Sequence, residues 1–105
     1  MVNEPSNHGA TVVAEGTPAT PVVRVTGELD LSSAAAVRSA LESSVTDSAE
    51  RVELDLGDLT FLDSSGLSVF VELAGRVPVA IVAASEPVRR IIGVTGLGDV
   101  LGLPS

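Results

Sequence analysis

The stretch Leu54–Leu67, LDLGDLTFLDSSGL, decides the fold of this chain. Aliphatic residues alternate with acidic ones over 52–56, which predicts a strand with one buried and one polar face. A Gly-Asp pair ends that strand, and we expect Leu59 and Phe61 to turn back into the core. Apolar residues then recur at helical spacing from Leu67 onward. The DSSG segment therefore lies where a strand gives way to a helix.

The DSSG segment, 63–66, opens this helix. Asp63 or Ser64 is the expected N-cap, because a side-chain oxygen there accepts from backbone N–H groups that the first helical turn leaves unpaired. Capping alone explains the motif. A second interpretation comes from its placement, since two adjacent hydroxyls at a strand-to-helix junction lie at the carboxyl edge of a sheet, where open α/β folds place their sites.

The rest of the chain shows further strand and helix patterns. Two predicted strands, 22–26 and 52–56, carry one polar face, whereas the central strands of doubly wound sheets bury both faces. The segment 79–83 is apolar on both faces, which predicts a buried strand. We therefore predict an α/β fold, a mixed four-stranded sheet with helices packed on one face. The predicted strands are 10–14, 22–26, 52–56 and 79–83. Ser32 or Ser33 is predicted to cap a first helix that runs to Val45. The other predicted helices run from Ser65 to Ala74 and from Ser85 or Glu86 to Gly93, followed by a short helical piece at 99–101.

The length of 105 residues allows one domain with one modest core. Residues 1–9 are polar and lack periodicity, which predicts a flexible N-terminal arm ahead of a single domain over 10–103. No basic residue precedes an apolar run at the N-terminus, so a signal peptide is not indicated. The apolar run at 77–85 is about half as long as a membrane span. We expect a cytoplasmic protein that does not engage a membrane.

The composition excludes several classes of function. The chain has no cysteine and no lysine, which removes thiol nucleophiles, Schiff-base chemistry and a Walker-type phosphate lysine. His8 is the only histidine and lies in the predicted arm, so a Ser-His-Asp triad cannot form. The formal net charge is −8 and the six arginines are scattered along the chain. We therefore expect no nucleic-acid partner.

Other polar clusters match ordinary structural roles. Asp55, Asp58 and Asp63 lack the spacing of a calcium loop. The GVTGLG segment at 93–98 follows a helix and not a strand, so it does not match the dinucleotide fingerprint. The adjacent pair Arg89-Arg90 is typical of a solvated helix face. We therefore expect no metal, no cofactor and no enzymatic activity.

Four motifs resemble one known family. They are GELD at 27–30, LTFLDSSGL at 59–67, SEPVRRII at 85–92 and TGL at 95–97. In this order, and on these predicted elements, they resemble the STAS-domain anti-sigma factor antagonists, and the resemblance covers residues 22–101. It implies a four-stranded sheet with helices on one side, which agrees with the fold predicted from periodicity.

The resemblance also implies a function. Proteins similar to this one bind an anti-sigma factor that is also a serine kinase, and binding releases a sigma factor. The kinase ends the interaction by phosphorylating the first serine of DSSG, which is Ser64 here, and a phosphatase restores it. By the same resemblance, the partner-binding surface includes Asp30, in the loop after the second strand, together with Asp63, Ser64 and Ser65.

The chain departs from the family pattern after the DSSG motif. Only residues 72–78 separate the body of the DSSG helix from the next strand, so we predict a helix about two turns shorter than is usual in the family.

The alternative function is a STAS module without a switch, a scaffold or transporter-associated subunit whose DSSG motif only caps a helix. An enzyme is the third class.

Overall fold

The computed structural model describes residues 9–104, and residues 1–8, most of the predicted arm, lie outside that range. Strands and helices alternate through the described part of the chain. No helix in it is long and apolar enough to cross a membrane. The elements are β1 (Ala10–Gly16), β2 (Pro21–Leu29), α1 (Ala34–Ser44), β3 (Val52–Leu56), β4 (Leu59–Leu62), α2 (Ser64–Ala74), β5 (Val79–Ala84) and α3 (Glu86–Thr95).

The strands form one mixed sheet in the order β1-β2-β3-β5, with β4 paired to β2. β1 is antiparallel to β2, and the other pairs are parallel. β2 pairs with β3 through residues 22–24 and with β4 through residues 27–29, so β3 and β4 follow one another along the same edge of β2. The predicted mixed sheet is confirmed, with β4 as an additional short strand. Pairing with β4 also explains why β2 runs beyond its predicted end.

One face of the sheet is buried beneath the helices, as predicted. Val23, Val25 and Leu29 of β2 are fully buried and share the core with Phe70 of α2 and Ile92 of α3. The opposite face is polar. There, Arg24 of β2 pairs with Asp55 of β3 at an Nε–Oδ2 distance of 3.4 Å. β2 and β4 are parallel, so their C-terminal ends lie at the same edge of the sheet. The helices that follow them, α1 and α2, begin at this edge and pack on the same core.

Two predictions about buried positions are wrong. Leu59 is fully buried, but Phe61 is 47% exposed, because it pairs with Glu28, which is also exposed. β5 is not buried on both faces. Val82 is 53% exposed at a register shift in the pairing of β3 with β5, where the extra residue of a bulge leaves the ladder. Periodicity does not report such local breaks in pairing.

The predicted end of α3 is also wrong. The helix continues past Gly93 to Thr95, and Gly96 ends it with a φ of 74°. This left-handed conformation favours glycine, and the Gly96 N–H donates to the Ile92 carbonyl at 3.0 Å. Residues 98–102 form a turn instead of the predicted short helix. The turn covers the outer edge of β5, since the Ile81 N–H donates to the Gly102 carbonyl at 3.1 Å.

The first turn of α2 packs against the end of β2 through Gly66. A β-carbon on Gly66 would lie 2.6 Å from Leu29 Cγ, 2.8 Å from the Leu29 carbonyl oxygen and 2.8 Å from Leu62 Cδ1. These distances are too short for non-bonded contact. Glycine is therefore required here by the close approach of helix and strand.

Replacing Gly66 with alanine should lower the free energy of unfolding by about 1–3 kcal/mol, because the new methyl group must displace Leu29 or the helix. Gly93→Ala is the matched control. It also adds a methyl group to a helical glycine, but nothing lies within 4 Å of that β-carbon. Gly93→Ala should leave stability unchanged or raise it by up to about 1 kcal/mol. Urea denaturation of both variants measures the difference, and equal effects would contradict the packing argument.

Candidate functional site

The N-terminus of α2 is capped by Asp63, one of the two predicted caps. Its backbone is extended, and Oδ1 accepts a hydrogen bond from the Gly66 N–H at 2.9 Å. Ser64, the first residue of the helix, is exposed, and Ser65 is half-buried. Among residues 9–104 the Ser64 hydroxyl has no hydrogen-bond partner, so the cap is formed without it. Ser64 therefore presents a free hydroxyl at a helix N-terminus.

The cap is joined directly to the end of β2. The Asp63 N–H donates to the Leu29 carbonyl at 3.3 Å, in addition to the contact between Leu29 and Gly66. Asp30 is the next residue after Leu29. Consecutive α-carbons are about 3.8 Å apart, so these contacts bring Asp30 and the DSSG segment to the same edge of the molecule. The four residues predicted for the site, Asp30, Asp63, Ser64 and Ser65, all lie there.

Asp30 is held in a turn by the two serines that follow it. Its Oδ1 accepts from the Ser32 N–H at 2.9 Å and from the Ser32 hydroxyl at 2.7 Å. The Ser33 N–H and the Ala34 N–H donate to the Asp30 carbonyl at 3.1 Å and 2.9 Å. This combination of side-chain and backbone bonds is typical of an Asx-turn that leads into a helix.

The Ser33 side chain has a different role from the one predicted. Ser33 occupies the N-cap position of α1, but its side chain makes no capping bond. It is fully buried, and its hydroxyl donates to the Glu28 carbonyl at 3.0 Å. The hydroxyl also accepts from the Asp30 N–H at 3.0 Å. The buried Ser33 hydroxyl therefore stabilises the loop by bonding to its backbone. The pattern Asp-Leu-Ser-Ser alone does not distinguish this role from capping.

These bonds lower the pKa of Asp30 below its ordinary value. The Ser32 hydroxyl is the largest cause, partial burial opposes it, and the backbone N–H groups of Ser32 and Ser33 lower the pKa further. Each donor favours the ionised carboxylate. Because the folded pKa is depressed, the turn contributes stability above about pH 4, the pKa in the unfolded chain. That contribution is lost as the pH falls through the folded pKa.

Asp55, at the end of β3, has partners of its own. Asp55 Oδ1 accepts from the Gly57 N–H at 3.0 Å, while Oδ2 pairs with Arg24. Within residues 9–104, no group of three or more acidic or histidine side chains is placed to hold a metal ion. The site consists of carboxylates and hydroxyls on an exposed edge. Such groups can accept hydrogen bonds and cationic side chains from a partner, and a hydroxyl can be modified.

The family model of the STAS domain matches residues 11–104, so the chain belongs to the STAS domain family. A similar solved structure is an anti-sigma factor antagonist from Mycobacterium paratuberculosis, with 29% identity and a TM-score of 0.80 over 91% of this chain and 86% of that chain. The anti-sigma factor antagonist SpoIIAA in its unphosphorylated form has 24% identity and a TM-score of 0.69 over 84% and 83%. The STAS domain of an anti-sigma factor antagonist from Rhodobacter sphaeroides has 22% identity and a TM-score of 0.61 over 78% and 98%. The fold and the family predicted from the motifs are confirmed.

Replacing Ser32 with alanine should raise the pKa of Asp30 toward its ordinary value, because the hydroxyl is the largest cause of the depression. A carbon-detected NMR titration of the Asp30 carboxyl group measures this change. Ser39→Ala, an exposed serine of α1 outside the turn, is the matched control and should leave the titration unchanged. An Asp30 pKa that is the same in Ser32→Ala and in the unmodified protein would contradict the assigned cause.

Proposed function

We propose that this protein is an anti-sigma factor antagonist whose binding to an anti-sigma factor is switched off by phosphorylation of Ser64. The proposal rests mainly on the exposed Ser64 hydroxyl at the start of α2, on the same edge as the Asp30 turn. The likeness to the Mycobacterium paratuberculosis anti-sigma factor antagonist supports the same role. The protein then works as a binding module and not as an enzyme.

Asp30, Asp63, Ser64 and Ser65 form the proposed partner-binding surface. In both aspartates the Oδ1 oxygen is occupied inside the protein, by Ser32 at Asp30 and by Gly66 at Asp63. These bonds hold each carboxylate in one orientation. The Oδ2 oxygens are left to accept hydrogen bonds from a partner, and charge-assisted bonds of this kind are stronger than neutral ones. Binding of the anti-sigma factor at this edge releases its sigma factor.

The anti-sigma factor is proposed to be the serine kinase that modifies Ser64. The Ser64 oxygen attacks the γ-phosphorus of ATP, the bond between that phosphorus and the bridging oxygen of ADP breaks, and the hydroxyl proton passes to a base of the kinase. A phosphatase reverses the modification by hydrolysis, which returns the hydroxyl and releases inorganic phosphate. This cycle implies a cytoplasmic location, where sigma factors meet RNA polymerase.

Phosphorylation should act at the interface and leave the fold intact. The phosphate adds about −1.5 to −2 charges at neutral pH. The N-terminus of α2 tolerates this charge, since its backbone N–H groups and helix dipole favour an anion. A partner surface shaped for a neutral hydroxyl would instead have to desolvate a dianion that stands beside Asp30 and Asp63. Release of the partner follows.

Incubation with ATP and an anti-sigma serine kinase from the source organism should add one phosphate to Ser64. Intact-mass measurement with peptide mapping detects it. Ser64→Ala should remain unmodified. Ser68→Ala is the matched control, because Ser68 is also exposed on α2, one turn further along, and this variant should still be modified at Ser64. If no kinase modifies the protein while a known substrate is modified, a STAS scaffold or transporter-associated subunit becomes the better assignment.

Ser64→Asp should abolish binding to the anti-sigma factor while Ser64→Ala retains it, as measured by titration calorimetry. Both variants should unfold in one cooperative transition with a midpoint close to that of the unmodified protein, because Ser64 is exposed and makes no internal side-chain bond among the described residues. Loss of cooperative unfolding in Ser64→Asp would show that the negative charge acts on the fold, and it would overturn the proposed mechanism of release.

A further inference from the structure

We infer that Leu31 and Phe61 are the apolar anchors of the partner-binding surface, and that they insert into an apolar pocket with a cationic rim on the anti-sigma factor. The inference rests on the proposed function and adds the chemistry of the partner. Leu31 is 77% exposed and Phe61 is 47% exposed, although both are large apolar side chains. Each lies within three residues of a polar residue of the site.

Leu31 stands at the tip of the Asp30 turn. The N–H groups of Ser33 and Ala34 both donate to the Asp30 carbonyl, so Leu31 and Ser32 form the outer part of the turn. The bonds from Ser32 to Asp30 Oδ1 hold this backbone in place. An exposed leucine on a fixed turn loses little conformational freedom on binding. Its apolar surface therefore contributes to affinity with a small entropic cost.

Phe61 is held in β4, three residues before Ser64. β4 is only four residues long, but the Thr60 hydroxyl donates to the Gly27 carbonyl at 3.0 Å and ties the strand to β2. Phe61 pairs with Glu28 across these strands. Paired residues project on the same side of a sheet, so the side chains of Phe61 and Glu28 share one face. Aromatic side chains, phenylalanine among them, are enriched at protein interfaces relative to the rest of the surface.

The surroundings of both anchors are acidic. Residues 25–37 and 52–75, which supply the whole site, contain no lysine or arginine. They carry Glu28, Asp30 and Asp63 close to the anchors. The arginines on the adjoining helices have other partners: Arg38 pairs with Glu72, Arg90 pairs with Glu86, and Arg89 donates to the Ala84 carbonyl. Both anchors therefore lie in segments that carry acidic but no basic side chains.

The negative charge around Leu31 and Phe61 favours a partner with a cationic surface. A second copy of the same surface would bring like charges together, which opposes self-association. A pocket rimmed by arginine fits better, because guanidinium groups form paired hydrogen bonds with carboxylates. A guanidinium group also stacks on an aromatic face such as that of Phe61. The anti-sigma factor is thus expected to present an apolar pocket between arginine side chains.

The test is titration calorimetry of purified anti-sigma serine kinases with the unmodified protein, Leu31→Ala, Phe61→Ala and Val94→Ala. Val94 is 82% exposed, but it lies near the C-terminal end of α3, about 12 Å along the helix from Glu86. Val94→Ala is therefore a control for the loss of exposed apolar surface. Urea denaturation of each variant checks the fold, which matters most for the half-exposed Phe61.

Leu31→Ala and Phe61→Ala should each weaken binding by about tenfold or more, and Val94→Ala by less than about twofold. Raising the salt concentration should weaken binding of the unmodified protein. If the unmodified protein binds and the two anchor variants bind equally well, the inference is overturned and the proposed function stands. If binding does not respond to salt, the cationic rim is overturned.

Two further outcomes overturn the inference in other ways. If the unmodified protein binds no anti-sigma factor, the proposed function fails and the inference fails with it. Sedimentation of the protein alone tests whether a second copy of this chain, and not the anti-sigma factor, binds to this surface. A dimer that Leu31→Ala dissociates would assign the surface to self-association instead.

Discussion

The first turn of α2 lies directly against the last residue of β2, and this contact requires that residue 66 have no side chain. A β-carbon there would overlap Leu29. Because the contact is so close, the Asp63 N–H reaches the Leu29 carbonyl, and the helix start is joined to the strand end. Asp30 follows Leu29, so the same contact places the carboxylate turn beside the DSSG segment. The candidate site is therefore a consequence of packing between β2 and α2.

The site combines rigid carboxylates with one uncommitted hydroxyl. Asp30 and Asp63 each use one carboxylate oxygen to stabilise local structure, whereas Ser64 contributes nothing to the cap. A charge added to Ser64 therefore changes the charge of the partner-binding surface without removing a hydrogen bond within the protein. No basic residue in the segments 25–37 and 52–75 neutralises it. The modification proposed for Ser64 would therefore act on binding and leave the fold unchanged.

Much of the fold could be predicted from local pattern. Alternation identified β2 and β3, helical spacing identified α1 and α2, and four short motifs indicated the family and the site residues. The errors have physical causes. Phe61 was expected in the core, but its pairing with Glu28 holds it beside an exposed residue, and the short strand β4 does not alternate. Gly93 was expected to end α3, yet a glycine with free space around it continues a helix, and Gly96 ends it with positive φ.

The amino-acid sequence by itself determined the order of elements, the polar and buried faces of β2 and β3, and the residue types at the helix start. It also determined the negative charge of the site, since charge follows from composition. Only the tertiary structure decided that Ser33 is buried and bonded to the Asp30 turn and that Leu31 and Phe61 are exposed. The physical reason is that strand pairing and the approach of α2 to β2 join residues far apart in the chain, and local periodicity carries no information about those contacts.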